Sequence, residues 1–147
     1  MLRALAPVAA LLLSVAFMLM GNGLQSTLLP MRAQLEAYSS VEIGVLGSAY
    51  FVGFALGCWR GAILIRRAGH IRTFAAVVAI SSTSALVHAL VVEPMVWWAV
   101  RLLSGACVAI LFMVIESWLN EKSTNETRGL VFSVYTAINL TVISIGQ

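Results

Sequence analysis

Long apolar stretches alternate with short polar interruptions along the whole chain. The stretches cover roughly residues 6–29, 42–64, 73–92 and 95–117, and another begins near Leu130 and is still apolar at Gln147. A helix crossing a bilayer core needs about 20 apolar residues. The pattern therefore predicts four complete transmembrane helices and an incomplete fifth over 129–147. The expected class is an all-α integral membrane protein, a polytopic helix bundle. The fifth stretch ends with no polar flank or interfacial anchor, so the chain reads as a piece of something longer. A signal peptide is the alternative for the first stretch, because Arg3 precedes it. That stretch runs on to Pro30 without a small-x-small cleavage site, which favours a span.

The polar interruptions carry the boundary signals. Ser39-Ser40-Val41-Glu42 has the spacing of a capping box opening the second helix, and Ser123-Thr124-Asn125-Glu126 offers the same before the fifth. Glu93-Pro94 separates the third and fourth helices, and proline suits the first turn of the latter. Trp97 and Trp98 then fall where amphipathic rings prefer the membrane interface. Gly21-Asn22-Gly23-Leu24-Gln25-Ser26 is expected to interrupt the first helix.

Composition agrees. Of 147 residues, 61% are hydrophobic and 10% charged, against about 25% charged in soluble domains. A formal charge of +3, scattered among apolar runs, does not suit a nucleic-acid partner. Cys58 and Cys107 lie inside apolar stretches and read as free thiols rather than a disulfide framework. No metal-ligand cluster, cofactor motif or hydrolytic constellation is present, so no enzyme is expected.

Charge sets the expected orientation. Arg3, Arg66, Arg67, Arg72, Lys122 and Arg128 fall on one side, and Arg32 falls on the other with Glu36, Glu42 and Glu93. By the positive-inside rule the N-terminus and the 66–72 and 120–128 loops are cytoplasmic. The Asn125-Glu126-Thr127 sequon then faces the cytoplasm and reads as chance.

Between the second and third spans stands Arg66-Arg67-Ala68-Gly69-His70-Ile71-Arg72. It resembles the cytoplasmic loop G-x-x-x-D-R-x-G-R-[RK] of the major facilitator superfamily. Arg67, Gly69 and Arg72 match the pattern, and a turn this tight suits a glycine at positive φ. The pattern's acid would fall at Arg66, so the resemblance does not extend to the acid-dependent latch. It points instead to a divergent branch of uncharacterised bacterial members. Arg101-Leu102-Leu103-Ser104-Gly105 is similar to the family's R-x-x-x-G in the fourth helix. The resemblance covers the N-terminal portion of such a transporter, a partial six-helix domain. It implies a secondary active transporter of a small solute, working by alternating access in the bacterial inner membrane with the remaining helices of the full-length protein. It also makes Glu116 the candidate partner of Arg67 or Arg72.

Several residues stand out for chemistry. An arginine inside a span costs at least ~2.5–3.5 kcal/mol on insertion scales, so Arg101 is expected to face a polar interior; the alternative is snorkelling to the outer surface. Asn22 and Gln25 share a helix face. Counting ~1.5 Å per residue from the helix midpoints places them and Arg101 at similar depth, roughly 6–10 Å outward. They are the substrate-path candidates, with Asn139 a weaker addition; interhelical hydrogen bonding is the alternative. Gly53, Gly57 and Gly61 form a small-residue face that suits packing within one bundle, or dimerisation. Proton coupling finds no carrier: no Asp occurs, Glu116 is near the cytoplasmic edge, and His70 and His88 are far apart. A dimeric four-helix exporter is disfavoured because residues 4–30 contain no carboxylate; a non-transport membrane subunit is the remaining alternative.

Overall fold

The computed structural model describes residues 9–146, with side chains from residue 12 onward. Arg3 and Gln147 lie outside the described residues. Five helices follow in order: α1 (Ala9–Leu35), α2 (Ser40–Ala68), α3 (His70–Leu90), α4 (Pro94–Lys122) and α5 (Arg128–Gly146). All five are long and apolar enough to cross a membrane. The protein is a polytopic all-α membrane protein.

Most helices are longer than their apolar cores. In hydrocarbon a broken helix leaves backbone groups unsatisfied at several kcal/mol each. Continuing the helix through polar residues to the headgroup level avoids that cost. The same logic overturns the expected interruption of α1. The helix runs unbroken through Gly21-Asn22-Gly23 and Pro30 to Leu35. A glycine in a helix costs only ~1 kcal/mol relative to alanine, which is less than opening the backbone in lipid.

The helix ends show how the local chemistry works. Ser39 and Glu42 form a full capping box at α2, with Glu42 N donating to Ser39 Oγ at 3.3 Å and Ser39 N donating to Glu42 Oε2 at 2.7 Å. Pro94 opens α4, and Trp97 N donates to Glu93 O at 3.0 Å. Before α5 the expected Ser123–Glu126 box does not form. Thr124 and Thr127 cap each other instead, Thr127 N to Thr124 Oγ1 at 3.3 Å and Thr124 N to Thr127 Oγ1 at 3.0 Å. Ser123 Oγ is drawn back to Leu119 O at 2.6 Å, finishing α4. Gly69 is the single residue between α2 and α3, at φ 80°. The end of α1 makes a comparable turn without glycine. Tyr38 N donates to Ala33 O and Ala37 N to Gln34 O, with Ala37 at φ 61°. This is the Schellman pattern, which usually has glycine at that position.

The described residues form two compact units. One comprises the chain up to Leu28 with the residues from Ile115 onward, and the other spans Leu29–Val114. In the first, α1 and α5 meet through glycines: a Cβ at Gly146 would lie 2.5 Å from Met20 O, and one at Gly23 would lie 3.0 Å from Ile143 O.

In the second unit Leu29, Ala33, Leu46 and Trp97 make a core that Tyr38, Ile43 and Trp98 flank. Trp97 was expected to sit at the membrane interface, and it is 0% exposed. Its indole N–H donates to Val91 O and its ring meets Tyr38 and His88 at 5.3 and 5.7 Å. A buried indole that finds an acceptor keeps its apolar area at no polar cost, so the ring packs inward here. Trp98 is half-buried and donates to Glu42 O at 3.1 Å.

Candidate functional site

The site is built by the approach of α2 to α4. A Cβ at Gly53 would collide with the carbonyl of Leu102, and one at Gly105 with the carbonyl of Tyr50. Further along, a Cβ at Gly57 would lie 2.5 Å from Ala106 O, and one at Gly61 would lie 2.8 Å from Met113 Sδ. Small residues on both helices bring the backbones together, and dispersion then replaces the absent hydrophobic drive between helices in lipid.

That close contact buries Arg101. The residue is 5% exposed, its guanidinium carbon 4.6 Å from the centroid of the Tyr50 ring. Nε and Nη1 are sealed from solvent and have no hydrogen-bond partner among the described residues. The arginine therefore packs inside the protein rather than extending outward to the surface. Behind it, Ser104 Oγ donates to Arg101 O at 3.0 Å within the helix. A cation–π contact gives about 2 kcal/mol when desolvated. The effective penalty of burying an ion is several kcal/mol even after relaxation, so the ring compensates only part of it.

The other path candidates belong to the unit of α1 and α5. Asn22 and Gln25 are half-buried on α1, and Asn22 O accepts Ser26 Oγ at 2.8 Å. Asn139 is half-buried on α5, and its Oδ1 has no partner among the described residues. Glu116 shares that unit and accepts Tyr135 Oη at 3.4 Å. The basic loop belongs to the other unit, where Arg66, Arg67 and Arg72 are exposed.

A second polar constellation joins helix ends away from the basic loop. Arg32 Nη1 donates to His88 O at 3.1 Å and Nη2 to Ala89 O at 3.3 Å, while Nε stands 3.5 Å from Glu36. Its guanidinium carbon is 5.7 Å from the Trp97 ring. The cation thus meets the carbonyls at the negative end of the α3 dipole. Nearby, burial pushes the Tyr38 hydroxyl pKa up, and the charges of Glu93, Glu36 and Glu42 push it further; Arg32 opposes them.

Some of these features were not singled out from sequence. Arg60 lies within the apolar part of α2, exposed, its guanidinium carbon 4.6 Å above the exposed ring of Trp59. Its charge inside a span was the available signal. Tyr50 had none, because its importance depends on which helices pair; Gly105 stood in the R-x-x-x-G match, but its close approach to Tyr50 depends on the same pairing.

Comparison with known proteins follows the same line. Residues 9–147 match the family described as "Sugar (and other) transporter". The chain is 26% identical over 141 residues to the "Uncharacterized MFS-type transporter YcaD" of Escherichia fergusonii, and equally to that of Escherichia coli O157:H7. Each alignment covers 96% of this chain and 37% of the relative, so the chain spans little more than a third of the length of these relatives. No solved structure matches it. The chain belongs to the sugar (and other) transporter family, within the major facilitator superfamily.

Proposed function

We propose that the chain is the N-terminal part of a secondary active transporter that moves a small solute by alternating access. The observation that carries this reading is Arg101, buried at 5% exposure in a membrane-spanning helix with two nitrogens lacking partners among the described residues. Such a charge is expensive in a bundle that only needs to stand in the bilayer. A solute path gives it a use. Family membership supports a rocking bundle around a central site. The protein would lie in a bacterial cytoplasmic membrane, its 66–72 and 120–128 loops on the cytoplasmic side.

The test is uptake by cells carrying the complete gene. Arg101→Ala should abolish transport while membrane insertion is unchanged. Full uptake by the correctly inserted variant would remove Arg101 from the mechanism.

A further inference from the structure

We infer that the solute is a small anion, carrying a carboxylate or phosphate group, and that Arg101 supplies its counter-charge. The inference rests on the transport reading and narrows its substrate class.

Three observations carry it. Arg101 is 95% buried by its 5% exposure, and Nε and Nη1 find no acceptor among the described residues. The Tyr50 ring covers its guanidinium at 4.6 Å but is not a counter-ion. Finally, its own unit offers no carboxylate at its depth. That unit's acids are Glu36, Glu42 and Glu93, all at helix ends. Glu36 is paired with Arg32, and Glu42 is committed to the Ser39 cap. Glu93 precedes Arg101 by eight residues on the chain, about 12 Å at the helical rise.

The balance of charge inside the spans points the same way. Between Glu42 and Glu93 there is no acidic residue, while Arg60 and Arg101 both lie within spans of this unit. A low-dielectric region with fixed cations and no fixed anions raises the local concentration of anions and rejects cations. A neutral solute would leave the buried guanidinium unpaired. A cationic one would add to the repulsion. An anion offers the orphaned guanidinium nitrogens an acceptor through charge-assisted hydrogen bonds, which are about twice as strong as neutral ones.

The remaining alternative is a carboxylate from elsewhere in the full-length protein, pairing permanently with Arg101. Thermal unfolding of the purified full-length protein separates the two, at constant ionic strength, with succinate, inorganic phosphate, glucose or tetraphenylphosphonium added. The expected result is a rise in Tm of several degrees with succinate or phosphate, no rise with the other two, loss of the rise in Arg101→Gln and a reduced rise in Arg101→Lys. Succinate against phosphate distinguishes the two anionic groups. Stabilisation by glucose or tetraphenylphosphonium alone, an equal anion effect in Arg101→Gln, or no effect of any probe on the wild type overturns the inference. If Arg101→Gln does not fold, the wild-type ranking and Arg101→Lys decide it. Binding is read apart from flux. Anion binding without flux counts against transport, whereas glucose flux without anion binding counts against the anion.

Discussion

The guanidinium of Arg32 donates to the carbonyl oxygen of His88 at 3.1 Å, tying the end of α1 to the end of α3. The contact is more than a surface ion pair, because the same group also reaches Ala89 O and lies by the Trp97 ring. Arg32→Ala should lower stability by about 1–2 kcal/mol, from the lost charged hydrogen bonds and helix-end interaction. Glu36→Gln should change it by less than ~1 kcal/mol, the usual ceiling for a half-exposed pair. Unfolding in detergent micelles gives both values, and equal costs would assign the effect to the ion pair.

The α2–α4 contact makes a sharper demand. Gly53→Ala and Gly105→Ala each place a methyl against a backbone carbonyl. Each should destabilise by ~1–3 kcal/mol or more, the range for overpacking. Gly47 lies on the same helix with nothing within 4 Å of its added Cβ. Gly47→Ala should be neutral, or gain up to ~1 kcal/mol from helix propensity. Equal behaviour at Gly47 and Gly53 would rule out the close approach.

Ala37 offers the opposite prediction. It holds φ 61° at an exposed turn, a conformation costing an L-residue roughly 1–2 kcal/mol. Ala37→Gly should stabilise the protein by up to ~1 kcal/mol, since part of the relief is offset by greater freedom in the unfolded chain. A lower melting temperature would show that this turn is not left-handed.

Tyr38 supplies a pH signature. Burial first, and then Glu93, Glu36 and Glu42, push its hydroxyl above the usual 10.0. The folded state therefore holds this proton more tightly than the unfolded state does. Its contribution to stability is fully present below the unfolded tyrosine pKa and is lost as pH rises through the folded one. The phenolate absorbance difference between wild type and Tyr38→Phe should appear above pH 10. Its appearance below pH 10 would contradict the burial.

Much of this architecture was legible in the chain. The five spans, the Ser39–Glu42 cap and the start of α4 at Pro94 follow from apolar length and local hydrogen-bond chemistry. Both act along one dimension. The burial of Trp97 was not legible, because a place near a helix end does not tell which way the ring faces; packing against Tyr38 and His88 decides that. The expected break in α1 failed because glycine's modest helix penalty was weighed without the larger cost of open backbone in lipid. Gly53, Gly57 and Gly61 mark a face by spacing, but Gly105 becomes its complement only once α2 and α4 meet. The same pairing sets Tyr50 over Arg101, and no local pattern connects residues 51 positions apart.

Exchange flux shows whether the full-length protein moves a solute. Full-length protein in liposomes preloaded with unlabelled succinate, phosphate, glucose or tetraphenylphosphonium would be given the same compound labelled outside. Label should accumulate transiently for an anion, and Arg101→Ala should reduce that accumulation at least tenfold. Correctly folded, inserted protein that exchanges none of these solutes would rule out the proposed anion transport.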